Sequence, residues 1–462
     1  MARPSFHRCG LAIGLAATLV MAAAHAAEPP AALAFRTTLT AAEARDVIRG
    51  RRGFDVCLPN LAILTPEVAE ALAKPPGFYR LSLPAVETLT PETARGLAYR
   101  TGDLDLPGVT SLTPAAAAAL APHRGQLSLC GLSTLTTDVA AALARHSGHL
   151  CLAGLTELSP DVAEALARQA GHLSLPGLPA LSIASAAAIA RHRGTSLTLA
   201  GLTSLPADVA AAFAPHRGTL VLPRLAELTT DTAEALARHT GPLTLDGLGS
   251  LSVEAAAALA THAGPLTLRG LSVLPPGVAA ALAAHRGTLS LPGLYLLTAD
   301  VAAAFALHRG VLCLPRVPTL SAATAEALAM HRGGLVLSGL TTLGPDAARA
   351  LARHQGDIDL YTLAQSSTLD SVDLAGLLTA KIRLLSLPGV RRLDAPDSVA
   401  IAGTLSRSTG SVSLPNLKAA SSATLATLLA GGNVALPPLE EIEVLTDRSA
   451  REPLAQGDVR GD

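Results

Sequence analysis

Leucine recurs along this chain in short bursts that alternate with polar or small residues, and the bursts return about every 23 residues. Counting from Leu127 as position 0, one stretch reads LSLCGLSTLTTDVAAALARHSGH, and the next, from Leu150, reads LCLAGLTELSPDVAEALARQAGH. Such units start at 56, 81, 104, 127, 150, 173, 197, 220, 243, 266, 289, 312, 335, 358, 385, 412 and 434. In the eleven from 104 to 335, positions 0, 2 and 8 are always Leu, position 5 is Leu or Val, and position 21 is always Gly. Leucines two apart fall on one side of a strand. Pro at position 3 (Pro107, Pro176, Pro223, Pro292, Pro315) ends the strand's pairing, and Gly131 and Gly154 at position 4 suit a turn. A hydroxyl residue, often Pro, and an acid then mark a helix start, as in Thr90-Pro91-Glu92, Ser159-Pro160-Asp161 and Thr230-Asp231. Val139 and Leu143, at positions 12 and 16, share one helix face, and the Gly at position 21 is expected to stop the helix in a left-handed conformation. Each unit therefore predicts a strand, a turn and a helix of roughly three turns.

No such unit can bury its apolar side alone, but a stack can. The predicted fold is an α/β solenoid of about 17 strand–turn–helix coils, with a parallel β-sheet on one wall and helices on the other, on the order of 80 Å long at the usual strand spacing. The motif L-x-L-x-x-L-x-x-L before a helix, seen at Leu127, Leu129, Leu132 and Leu135, resembles the leucine-rich-repeat family. The spacing is similar to the helical subtype with Cys at position 5, although Leu or Val stands there in this chain. The side-chain ladder that Cys or Asn would provide is therefore missing. The resemblance covers 56–445 and implies a binding scaffold, usually for proteins, with no catalytic residues.

The ends depart from the repeat. Residues 1–26 read as a secretory signal peptide: Arg3, His7 and Arg8, then an apolar run over 11–23, then Ala24-His25-Ala26 at the cleavage positions. The run is too short to span a bilayer, and no later span follows. Residues 27–55 hold an incomplete unit with a polar helix, expected to cap the stack. The regular solenoid is assigned to 56–357, less regular repeats to 358–445, and a disordered tail to 446–462. These assignments place the chain in the periplasm, the cell envelope or the medium.

Composition agrees with a thin, regular core: hydrophobic residues make up 49% but aromatics only 2%, with no Trp. Removing Arg3 and Arg8 from the 35 Lys and Arg leaves 33 against 36 Asp and Glu, so no basic excess exists to meet nucleic acid. No phosphate loop, HExxH pair, nucleophile elbow or calcium repeat occurs. No cofactor is implied, and the expected role is non-enzymatic.

Four features could still carry chemistry. Position 19 is His in ten of the eleven central units, from His123 to His354, with Gln169 filling the gap. Position 19 shares a face with 12 and 16, so these rings point inward, where they can hydrogen-bond free carbonyls at the helix end. A row of imidazoles could also bind metal, but no carboxylate or Cys recurs beside them. The second feature lies on the outward strand positions. Asp103, Asp105, Gln126, Ser128 and Cys130 are followed there by His149, Cys151, His172 and Ser174. His149 and His172 would be neighbours, and His149 with Cys151 could be a nucleophile pair or half a metal site. Cys130 and Cys151 would lie diagonally with Cα atoms about 8 Å apart, beyond disulfide reach. The third feature is a hydroxyl stripe at position 1: Ser128, Ser174, Thr198, Thr244, Thr267 and Ser290, interrupted by Cys151, Val221, Cys313 and Val336. It could bind ice or a polymer, or simply be an ordinary exposed strand face. Lastly, arginines near the helix ends, among them Arg145, Arg238 and Arg309, read as solvated rims. The expected partner is a protein or an envelope polymer. The alternatives are a metal- or thiol-binding protein using the His/Cys cluster, and a purely structural envelope element.

Overall fold

The structure is a computed structural model that describes residues 35–49, 55–73, 80–360, 382–386, 390–393, 398–407 and 410–445. Residues 1–26, read above as a signal peptide, and 446–462, read as a tail, lie outside the described residues. Seventeen strands of two to five residues form one parallel sheet. From Val56 to Ile358 each strand pairs with the strand of the next coil, position 0 against position 0, as in Leu243 with Leu266, Leu266 with Leu289 and Leu289 with Leu312; beyond it Leu360, at position 2, faces Leu385. One register shift occurs, between Ile358 and Asp359, where the coil spacing lengthens. In the units from 81 to 335 the leucines at positions 0 and 2 are buried, as Leu243 and Leu245 illustrate. The helices line the opposite wall, each packed on the helices of the coils before and after it. The chain thus follows the leucine-rich-repeat plan in its strand pairing and inward leucines.

The helices are shorter than the pattern predicts. In the central coils they run from five to eight residues, as in Thr137–Leu143 and Val253–Ala260, nearer two turns than three. The hydroxyl caps form as expected at Thr90 and Ser159, whose side chains accept from the amides of Thr93 and Val162. In the coil from Leu220 the cap is Thr229, one residue earlier than the pattern suggests. Apart from Ala207–Ala211, which ends at position 14, the central helices stop at position 16 or 17, because the next residues must turn the chain inward and bring position 19 under the stack.

The recurring glycines act differently from the expectation. The C-cap residues are right-handed, Ala144 for example having φ −63, and the only glycine with positive φ among the described residues is Gly432. The position 21 glycines are instead sites of close coil approach. A Cβ on Gly310 would stand 1.9 Å from the carbonyl oxygen of Gly287, one coil back. Gly131 at position 4 has the same role, with Pro107 and Val109 carbonyls 2.4 and 2.5 Å from its missing Cβ.

Two further features are not visible in the period. The helix Ala41–Arg49 buries Ala44, Val47 and Ile48 against the first full coil, and Glu43 accepts from the Thr40 amide at 2.7 Å while its own amide donates back to Thr40. Near the other end, residues 392–393, 419–421 and 443–445 form a second parallel sheet of three strands. Among the described residues no helix is long and apolar enough to cross a membrane.

The inward leucines set a stability test. Leu245 is fully buried, so Leu245→Ala is expected to cost about 2–5 kcal/mol in urea denaturation. Thr244, its outward neighbour, is half-exposed, and Thr244→Ala should stay within about 0.5 kcal/mol of the parent. Reversed costs would mean that the two faces of the sheet had been exchanged.

Candidate functional site

The sheet's outer face carries position 1 of each coil in a straight row. Cys151, Ser174, Thr198, Thr244, Thr267 and Ser290 are half-exposed along it, and their backbones are fixed by the strand pairing on either side. Ser128 departs from the expectation: it is 5% exposed. The sulfur of Cys130 lies over it, with Sγ 3.1 Å from Ser128 Oγ, which shields the hydroxyl from water.

The His/Cys cluster forms two separate pairs. His149 and His172 are register partners and their rings stack, with centroids 4.1 Å apart and planes within 10°. His172 Nε2 meets Thr198 Oγ1 at 2.8 Å. Burial, then the neighbouring His172, depress the basicity of His149 to about 4, so both rings are neutral near pH 7. Cys151 does not engage His149. Its polar partners are the Cys130 thiol, the Ser174 hydroxyl and the Ala153 amide. The nucleophile pair that the sequence spacing allows is therefore not assembled. Cys130 opens a turn, which carries its sulfur back over Ser128, the strand partner of Cys151. Among the described residues no three His, Cys, Asp or Glu side chains converge in a way that could hold a metal ion.

The histidines at position 19 form a buried column. His123 and His146, and then each successive pair from His192 to His354, face one another at centroid separations of 5.5–6.3 Å. All ten are at most 4% exposed. The residues that interrupt or extend the column explain its role. Gln169 donates to the carbonyls of His146 and Gly148 at 3.1 and 2.7 Å, and its own oxygen accepts from His192 Nε2 at 3.0 Å. Arg100, at position 19 of its coil and 2% exposed, donates to Leu72 O and Asp103 O. His123 reaches Gln126 O and His354 reaches Gly333 O. At these positions Arg100, Gln169, His123 and His354 direct an N–H at carbonyls around the helix ends, whereas both ring nitrogens of His146, His216, His239, His262, His285, His308 and His331 are buried without a hydrogen-bond partner. Burial outweighs those carbonyls and lowers the basicity of every ring in the column, to about 4 at His123, His192 and His331. The favourable pairing of charged imidazole with the helix end is thus not used at neutral pH.

No protein-family profile matches the sequence, and no curated protein matches it. Solved structures do show a likeness in architecture. A leucine-rich-repeat protein of Leptospira interrogans is 15% identical, covers 82% of this chain and 93% of its own, and superposes with a TM-score of 0.36. A chain of the Toll–Spatzle complex of Drosophila is 15% identical with a TM-score of 0.39, and this chain matches 57% of its length. An internalin of Listeria monocytogenes is 14% identical over 74% of this chain and 88% of its own, with a TM-score of 0.30. Superpositions this loose say nothing about what this chain binds.

Proposed function

We propose that this solenoid is a non-enzymatic scaffold, exported from the cell, that takes a protein partner along its strand face. The supporting observation is the continuous row of half-exposed side chains from Cys151 to Ser290, each held on a backbone paired on both sides. A surface of that kind loses little conformational freedom on binding. Small hydroxyl groups leave the partner's side chains room to reach the sheet. Export rests on the sequence of residues 1–26.

The face is tested by cross-linked pull-down from an envelope extract of the source organism. Three proteins are compared: the parent, a strand-face variant (Thr198→Arg, Thr244→Arg and Thr267→Arg) and a helix-wall variant (Glu164→Arg and Glu234→Arg). The parent and the helix-wall variant should retain the same protein, and the strand-face variant should lose it. Loss only in the helix-wall variant would assign binding to the other wall. Capture of nothing by any of the three would favour a purely structural element. Export is tested by N-terminal sequencing of the secreted or periplasmic protein, which should begin at Ala27; an intact Met1 would contradict it.

A further inference from the structure

The geometry points to a redox-active dithiol on the strand face: Cys130 and Cys151, on adjacent coils, are placed to close into a disulfide by exchange with a disulfide-bearing small molecule or protein. Three observations bring the sulfurs together. Ser128 and Cys151 are strand partners, about 4.8 Å apart at Cα. Cys130 Sγ lies 3.1 Å from Ser128 Oγ, so it hangs over that pair and does not project along the strand. The acidity of each thiol responds to the other and to the Ala153 amide, which places both sulfurs near that amide. Neither cysteine is in a disulfide and both are partly open to solvent, whereas Cys57 and Cys313 lie on distant coils.

The pair is chemically asymmetric. The Cys151 S–H, then the Ser128 hydroxyl and the Ala153 amide, donate to Cys130 and hold it well below the usual thiol range. Cys151 is pushed up, chiefly because it is the donor to that thiolate. Cys130, with the Ser128 hydroxyl 3.1 Å from its sulfur, is the nucleophile. Its thiolate attacks one sulfur of R–S–S–R, forming Cys130–S–S–R and releasing RS⁻. With the charge on Cys130 gone, Cys151 loses the partner that held its proton, which passes to RS⁻ to give RSH. The Cys151 thiolate then attacks the Cys130 sulfur and expels the second RS⁻. Overall, the chain's thiol–thiolate pair and one R–S–S–R become the intramolecular disulfide, one RSH and one RS⁻. Two electrons pass from the protein sulfurs to the external disulfide.

The test uses the full-length mature chain, reduced and then exposed to oxidised glutathione at pH 7. Trypsin cuts after Arg124, Arg145 and Arg168, so Cys130 lies in peptide 125–145 and Cys151 in peptide 146–168. The expected product is those two peptides linked to each other, two hydrogens lighter than their sum and separated again by dithiothreitol. Cys151→Ser should instead collect one glutathione on Cys130. In the reduced parent, iodoacetamide should label Cys130 about tenfold faster than Cys57, as a thiolate requires. Separate glutathione adducts on both cysteines of the folded parent, without the link, would overturn the proposal. So would labelling of Cys130 no faster than Cys57. Because the parent carries both decisive readouts, a variant that fails to fold does not leave the question open.

Discussion

Acidification from pH 7 to pH 4 is expected to unfold the stack before most carboxylates titrate. The cause is the histidine column. In the unfolded chain each ring takes up a proton near its ordinary value of about 6.5. In the folded chain burial lowers that value at all ten rings, joined by a neighbouring ring at His123, His192 and His331, where it falls to about 4; the direction is the same at the other seven. The unfolded state therefore binds more protons between pH 6.5 and 4, and stability falls as pH falls through that window. Above about pH 7 both states hold neutral rings and the column makes no difference to the slope. A shift from 6.5 to about 4 corresponds to roughly 3 kcal/mol for one ring, and ten rings stacked at 5.5–6.3 Å would also repel once charged. Urea midpoints followed by circular dichroism at half-unit pH steps should be flat from pH 8 to 7 and drop steeply below 6.5. His239→Gln, which copies the Gln169 already present in the column, removes one titrating ring and should shallow that drop. A stability that holds unchanged to pH 4 would contradict the buried, neutral column.

Gly310→Ala is the second large effect, and it distinguishes close approach from backbone conformation. An added methyl would meet Gly287 O at 1.9 Å and Gly287 C at 2.8 Å, both of them backbone atoms of the coil below. Neither atom can rotate away, so adjacent coils must separate or tilt. The expected cost is about 3 kcal/mol or more. Gly249→Ala supplies the control, since nothing lies within 4 Å of its missing Cβ. That variant should be neutral or gain about 0.5 kcal/mol through a less flexible unfolded chain. Equal and small losses at the two sites, measured by thermal or urea denaturation, would remove the close-approach explanation.

The glycines also show where reading the sequence alone reaches its end. The leucine spacing specifies the coil count, the inward face and the strand partners, because alternation and period are properties of the sequence itself. A glycine at a fixed position has two physical meanings, a positive φ or a crowded Cβ, and the letters do not distinguish them. Only the carbonyl of Gly287 above the missing Cβ of Gly310 does so. The pattern overstates helix length for a related reason: the apolar phase continues through position 19, although the chain leaves the helix before it. The stacking of His149 on His172 follows from register and is legible in the sequence. The seating of the Cys130 sulfur against Ser128 is not, because a straight-strand estimate takes no account of the turn that opens at Cys130. The second sheet at 392–393, 419–421 and 443–445 falls in coils of unequal length, where the period gives no guide.

Distance between coils tests the central claim, that one 23-residue stretch is one coil in a continuous stack. Spin labels are attached to single cysteine pairs in a background with the four mature cysteines changed to Ser. One label is at Ser174, and the other is at Thr267, Ser290 or Val336, which lie four, five and seven coils further along. Electron–electron dipolar spectroscopy should give separations of about 19, 24 and 34 Å, one strand spacing per coil. Distances that fail to lengthen with the number of intervening coils would contradict the stack.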